Sequence, residues 1–161
     1  MMDYSDLARL AGGHVEARII QVSVQLGLFD CIGDRTPDAK QVAVSLATDL
    51  RATELLLNSL TALSLLEKKG EQFSLSTAAK TYLVGSSPNS LRGMIRFDAS
   101  LWNCWERLAD AVRSGKPTRP ANMYQDDPGE TESFIQAMDS LVKARGDAEV
   151  LANALDWGNV T

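Results

Sequence analysis

Residues 65–83 read LLEKKGEQFSLSTAAKTYL. An apolar run ending at Leu66 gives way to a charged segment around Gly70, and a helical pattern resumes after Ser76. Weak alternation about Gly70 predicts a short hairpin with Phe73 and Leu75 on one strand face. Ser76 is placed to cap the helix TAAKTYL, because its hydroxyl can accept from a first-turn amide.

Upstream the pattern is helical. Val15, Ile19, Val22, Leu26 and Phe29 recur at spacings of three and four, predicting a helix from residue 14 that stops near Gly27. A shorter helix is predicted over Tyr4–Ala11, with Gly12 and Gly13 as a joint. TPDAKQVAVSLA offers Thr36 as N-cap, Pro37 at the first helical position and Asp38 in the first turn of a helix to about Leu46. In RATELLLNSLTALSLL, Leu55, Leu56, Leu57, Leu60, Leu63, Leu65 and Leu66 spread around most of the circumference, so that helix is expected to be buried on several sides. Three helices and a two-stranded wing over residues 14–83 make a mainly α, winged-helix-like domain with flanking helices.

Downstream, VGSSPNS is a linker by composition. Leu91, Ile95, Leu101, Trp102, Trp105, Leu108 and Val112 keep helical spacing through about Arg113, and SGKPTRPANMYQDDPG reads as a loop. Asp127, Pro128 and Glu130 open a further helix, whose stripe of Phe134, Met138, Leu141, Val142, Ala148, Leu151 and Leu155 continues across Gly146.

The 161 residues suffice for one domain with extra arms, and 45% hydrophobic with 23% charged residues is an ordinary globular composition. Cys31 and Cys104 lack metal-ligand spacing and are expected to be reduced, mostly buried thiols of a cytosolic protein, a disulfide being the lesser alternative. Asp3 and Asp6 interrupt any signal-peptide pattern, and no run approaches the roughly 18 apolar residues of a membrane span. A cytoplasmic protein without membrane partners is expected. His14 is the one histidine, which disfavours a histidine metal site or a triad; it reads as a partly exposed residue at a helix start. AGGH and GSSPNS match no nucleotide-binding glycine pattern, and Asp126 and Asp127 are explained more simply by helix capping than by a cation. No catalytic and no metal residues are assigned.

Winged helices often read DNA, and this chain argues against it. A net charge of −5 repels phosphate, and the second helix offers Arg51 as its sole base around a leucine centre. Lys68 and Lys69 are the remaining phosphate candidates. Leucines left outward, each worth about 1.5–3 kcal/mol on burial, favour a protein partner.

Together VSVQLGLFDCI, LLLNSLTALSLLEKKGEQFSLSTAAKTYLV, WNCWERLADAVRSGKP and FIQAM resemble, in order, the N-terminal dimerisation region of S-adenosylmethionine-dependent O-methyltransferases. The caffeate, acetylserotonin and bacterial polyketide and phenazine enzymes belong to that family. The resemblance implies a homodimer through the N-terminal helices and winged helix, with no nucleic acid bound. It divides the chain into an arm and dimerisation domain over 1–83 and a helical connector over 84–161 that leads toward a Rossmann-like donor domain. DWGNVT resembles the stretch before that domain, which needs on the order of 100 further residues. S-adenosylmethionine is therefore expected in an intact parent and not on this chain alone, which would be a truncated piece, a proteolytic remnant or a stand-alone protein.

The resemblance also places Phe134 and Met138, in its F-x-x-x-M pattern, and Trp105 against a small-molecule acceptor, a flat aromatic or polyketide-like hydroxyl compound. The alternative is that all three fill a helical core. Ser64 stands where the family usually has glycine. Two rival functions are a winged-helix DNA-binding transcription regulator and a ligand-binding or scaffolding module without methyl transfer.

Overall fold

The computed structural model describes residues 1–119 and 121–154. They fall into two compact units that meet in sequence at Gly85 and Ser86.

In the first unit, α1 (Tyr4–Gln25) leads into α2 (Leu28–Ile32), α3 (Ala39–Leu46), α4 (Leu50–Ala62), the strands β1 (Leu66–Lys69) and β2 (Gln72–Leu75), and α5 (Thr77–Tyr82). The hairpin is antiparallel, pairing Leu66 with Leu75 and Lys69 with Gln72. Its two-residue loop begins with Gly70 at φ 59°, a conformation glycine reaches without a Cβ penalty. Leu66, Phe73 and Leu75 face inward to join Val24, Leu28, Phe29, Ile32, Val42, Leu57, Leu60, Ala79 and Leu83 in one core. The wing is pinned at its base: the Phe73 amide donates to the Pro37 carbonyl at 2.9 Å, and the Ser76 amide to that of Leu65 at 3.1 Å. The Ser76 hydroxyl accepts from the Ala79 amide, as the sequence predicts.

Four boundaries differ from expectation. Gly12 and Gly13 do not form a joint, and α1 runs through both after an Asp3–Asp6 capping box. The N-cap of α3 is Asp38, not Thr36, because Asp38 and Gln41 satisfy each other's backbone amides. A separate short helix, α2, follows α1. The leucine helix stops at Ala62, since Leu63 leaves helical geometry and Ser64 adopts φ 59°, freeing Leu66 to begin the wing.

The second unit contains α6 (Arg92–Ser100), α7 (Trp102–Glu106), α8 (Leu108–Ser114), α9 (Met123–Asp126), α10 (Pro128–Arg145) and α11 (Asp147–Ala154). The helix predicted through Arg113 is thus three short ones. Leu101 and Arg107, with ψ of −2° and 12°, turn the chain between them. Asp127 caps α10 with Pro128 behind it, as expected, but Gly146 at φ 68° ends that helix instead of passing its stripe onward. Leu155 and the DWGNVT stretch lie outside the described residues.

A clasp between α6 and α10 organises this unit. Leu91, the N-cap of α6, offers no capping side chain; the Ser90 hydroxyl accepts from the Arg92 amide at 3.4 Å, and the Met94 amide donates to the Ser140 hydroxyl of α10 at 2.9 Å, while that hydroxyl donates to the Ala137 carbonyl. A Cβ on Gly93 would lie 2.7 Å from the Gln136 carbonyl oxygen, so the helices approach this closely only across glycine.

Ser64→Gly and Ala47→Gly relieve left-handed conformations held by residues with a Cβ, at φ 59° and 53°, and each is expected to stabilise the chain by up to about 1 kcal/mol in denaturant titration. Gly93→Ala is expected to cost about 1–3 kcal/mol, and Ser140→Ala to speed hydrogen exchange of the Met94 amide.

Candidate functional site: an uncovered helix face

Only the last part of α1 is held by its own unit. Ser23 and Val24 are buried and Arg18–Val22 half-buried, whereas most residues before Arg18 are exposed. The exposed part is apolar along one side. Tyr4, Ala8, Ala11, Val15 and Ile19 follow one another at spacings of four, three, four and four, which aligns them on one face. Tyr4 is 85% and Val15 50% exposed, and Leu7 and Leu10 beside the stripe are also open. A row of this length is not scattered surface hydrophobicity; it is the signature of a helix awaiting another surface.

The charge around the wing suits that reading. Lys68 is turned back on the fold, donating to the Asn58 side-chain oxygen at 2.9 Å with its ammonium 5.0 Å from the Phe73 ring centre. Exposed positions of α4 include Leu50, Arg51, Ala52, Glu54 and Leu55, so its single base is offset by an acid and flanked by leucine. His14 lies in the middle of α1, not at a helix start, exposed and with Nδ1 3.1 Å from the Ala11 carbonyl oxygen.

In the second unit Phe134 and Met138 sit one turn apart on α10, both half-buried. The Phe134 ring meets Phe97 of α6 edge to face at 5.6 Å between centres, so it also serves the helix clasp. Trp105 stands on α7 with 64% of its surface open, followed by exposed Leu108 and Val112 on α8. Desolvation raises the Asp98 carboxyl above its ordinary range; because no second carboxylate contributes, this marks no coupled acid pair. Among the described residues no group of three or more His, Cys, Asp or Glu side chains is gathered as for a metal, and no helix is long and apolar enough to cross a membrane. Cys31 and Cys104 are free and half-buried.

The left-handed turn at Ser64 and the cap supplied by Ser140 escaped sequence reasoning. The first had a signal, the glycine usual at that place in the resembling family; the second had none, because donor and acceptor are 46 residues apart.

Residues 8–85 match the family model of the O-methyltransferase dimerisation domain. The acetylserotonin O-methyltransferase of Rattus norvegicus is 32% identical over 130 residues, covering 78% of this chain and 30% of the rat enzyme. The 3-hydroxy-5-methyl-1-naphthoate 3-O-methyltransferase of Streptomyces sahachiroi is 30% identical, over 82% of this chain and 40% of that enzyme. Human N-acetylserotonin methyltransferase, solved in complex with SAM, superposes with a TM-score of 0.82 at 26% identity, over 97% of this chain and 50% of that one. The chain thus spans at most half the length of these three relatives. The wing, the core of the first unit and the α1 face from Ala8 onward all lie inside the matched segment, and residues 8–85 of this chain belong to the O-methyltransferase dimerisation-domain family.

Proposed function

We propose that this chain is the dimerisation and acceptor-binding region of a S-adenosylmethionine-dependent O-methyltransferase acting on a small aromatic or polyketide-like hydroxyl compound. The observation that carries the reading is the uncovered apolar face of α1, which runs from Tyr4 into a segment that matches a dimerisation domain from residue 8. A second copy supplies the missing cover, giving a homodimer through the N-terminal helices and the winged helix. The acceptor class rests on the relatives, which act on acetylserotonin and on a hydroxynaphthoate. Both acceptors are aromatic.

In the intact enzyme a donor domain outside this chain binds S-adenosylmethionine and supplies the base. This chain contributes dimerisation and part of the acceptor wall: Phe134 and Met138 on one face of α10 offer ring and thioether surface, and Trp105 an exposed indole. Rate enhancement then comes mainly from holding the acceptor oxygen in line with the sulfonium methyl and from removing its proton. None of the relatives named above is a DNA-binding regulator, and the lysine tied to Asn58 and Phe73 leaves the regulator alternative without support.

Sedimentation velocity at tens of micromolar is expected to show a dimer, and a folded, strictly monomeric species sinks the reading. Val15→Asp places a charge in the apolar face of both copies and is expected to weaken the dimer roughly a hundredfold or more. For the acceptor wall, Trp105→Ala in the intact enzyme is expected to raise KM about tenfold with little change in Tm, because the ring is mostly exposed. Phe134→Ala is expected to lower Tm as well, through lost packing on Phe97. An unchanged KM for Trp105→Ala removes that residue from the wall.

A further inference from the structure

We propose that a cavity between α2 and α3 binds a small organic anion, a phosphate ester with an apolar body, at a site built from other residues than the acceptor wall of the second unit. The cavity measures about 560 Å³, an ordinary volume for a small-molecule site. Cys31 at the end of α2, Arg35 and Thr36 in the connection, and Lys40, Val44 and Ser45 on α3 line it. Lys40 and Val44 lie one turn apart on α3, while Val42 and Ala43 turn into the core, so the helix gives one face to the fold and another to the cavity. The connection is held at both ends. The Arg35 amide donates to the Ile32 carbonyl at 3.0 Å, and the Pro37 carbonyl accepts from the Phe73 amide of the wing at 2.9 Å.

Charge sets this cavity apart. The chain carries a net charge of −5, yet among the described residues the wall holds two cations and no carboxylate. The acids nearest in sequence are engaged elsewhere: Asp30 accepts from the Gly85 amide at 2.7 Å, Asp34 pairs with Lys80 at 3.2 Å, and Asp38 accepts from the Gln41 amide at 2.8 Å. Among the described residues neither Arg35 nor Lys40 forms an ion pair. Two uncompensated cations on one concave wall attract an anion even where the whole chain repels it.

The donors also suggest which anion. Arg35 Nη2 donates to the Cys31 carbonyl, which anchors the guanidinium at the wall and leaves most of its N–H donors unspent. Arginine offers a planar fork and lysine a compact charge on a flexible stem, a combination suited to a doubly charged oxyanion such as phosphate. The Thr36 and Ser45 hydroxyls add two further donors. A bare phosphate would leave most of the cavity, and the 74% exposed Val44, in water. An ester with an apolar body covers both.

Cys31 lies in the cavity wall, so its alkylation reports occupancy, with Cys104 of the second unit as internal control. The full chain is treated with uncharged iodoacetamide at constant ionic strength, and modification of each cysteine is followed by peptide mass spectrometry. Phenyl phosphate at about 10 mM is expected to slow modification of Cys31 about threefold, as a Kd of about 5 mM implies, and to leave Cys104 unchanged. Phenol at the same concentration is expected to slow neither. Arg35→Gln and Lys40→Gln are each expected to remove most of the protection and Lys40→Arg to keep it, with circular dichroism confirming the fold of each variant. In nitrogen–proton correlation spectra the Thr36 and Ser45 amides are expected to shift with phenyl phosphate; should Cys31 resist alkylation altogether, those shifts alone decide. Equal protection by inorganic phosphate overturns the organic ligand. Equal slowing at Cys104, protection that survives both glutamine substitutions, or an unslowed Cys31 with unmoved amides overturns the site.

Discussion

A 22-residue helix, about 33 Å long, is held by its own domain only through its final turns, and that imbalance governs the rest of the first unit. Isolated helices of about 12–15 residues are marginal in water, and Gly12 and Gly13 each weaken this one by roughly 1 kcal/mol relative to alanine. The Asp3–Asp6 capping box secures the first turn without covering any apolar surface. Tyr4, Leu7, Leu10 and Val15 therefore define a surface that water serves poorly and the domain does not bury. Removing two side chains at Gly12 and Gly13 lowers intrinsic helicity but permits another backbone to come close. An unaccompanied helix gains nothing from that exchange, whereas a helix packed against a partner does.

The winged-helix shape is fixed by packing that has no bearing on nucleic acid. Phe73 and Leu75 enter the core from the hairpin, and the wing is secured to the start of α3 through Pro37 and to the end of α4 through Leu65. The Gly85 amide donates to Asp30 on α2, closing the unit on itself. These contacts require a hairpin and a compact helical core; they place no demand on the outward residues of α4 or of the wing. The same scaffold can present bases to a groove or leucines to a protein, and its chemistry is set by what those outward positions carry.

Sequence made some features legible because their causes are local. The Ser76 cap, the Asp127 and Pro128 start and the shared face of Phe73 and Leu75 each depend on residues within a few positions of one another. Features that failed depend on contacts distant in sequence or on small differences between local options. Two glycines signal a joint by composition, yet they stay helical when flanked by good helix formers, and reading them as a break hid the continuity of the apolar face back to Tyr4. Thr36 and Asp38 are both credible caps; Asp38 prevails because Gln41 returns its hydrogen bond. No proline or glycine marks the turns at Leu101 and Arg107. Of the candidate acceptor residues, their chemical types were legible and their helices roughly so, but the Phe97 contact of Phe134 was not.

That contact bears on how an acceptor wall is built. Among its described residues the second unit buries the apolar Phe97, Ala99 and Ala137, while Trp105, Leu108, Val112, Ile135, Val142, Val150 and Leu151 stay exposed. A unit with so small a core depends on directional contacts: a glycine that admits a neighbouring helix, a serine that caps it, and two rings set edge to face. Such contacts fix the position and orientation of α10 more than they contribute bulk stability. Under the proposed function this is the useful property, because a ring at Phe134 that is braced from behind by Phe97 can meet a flat acceptor without first losing rotamer freedom. Core packing and acceptor contact are then two faces of the same side chain, and the half-burial of Phe134 is what allows both.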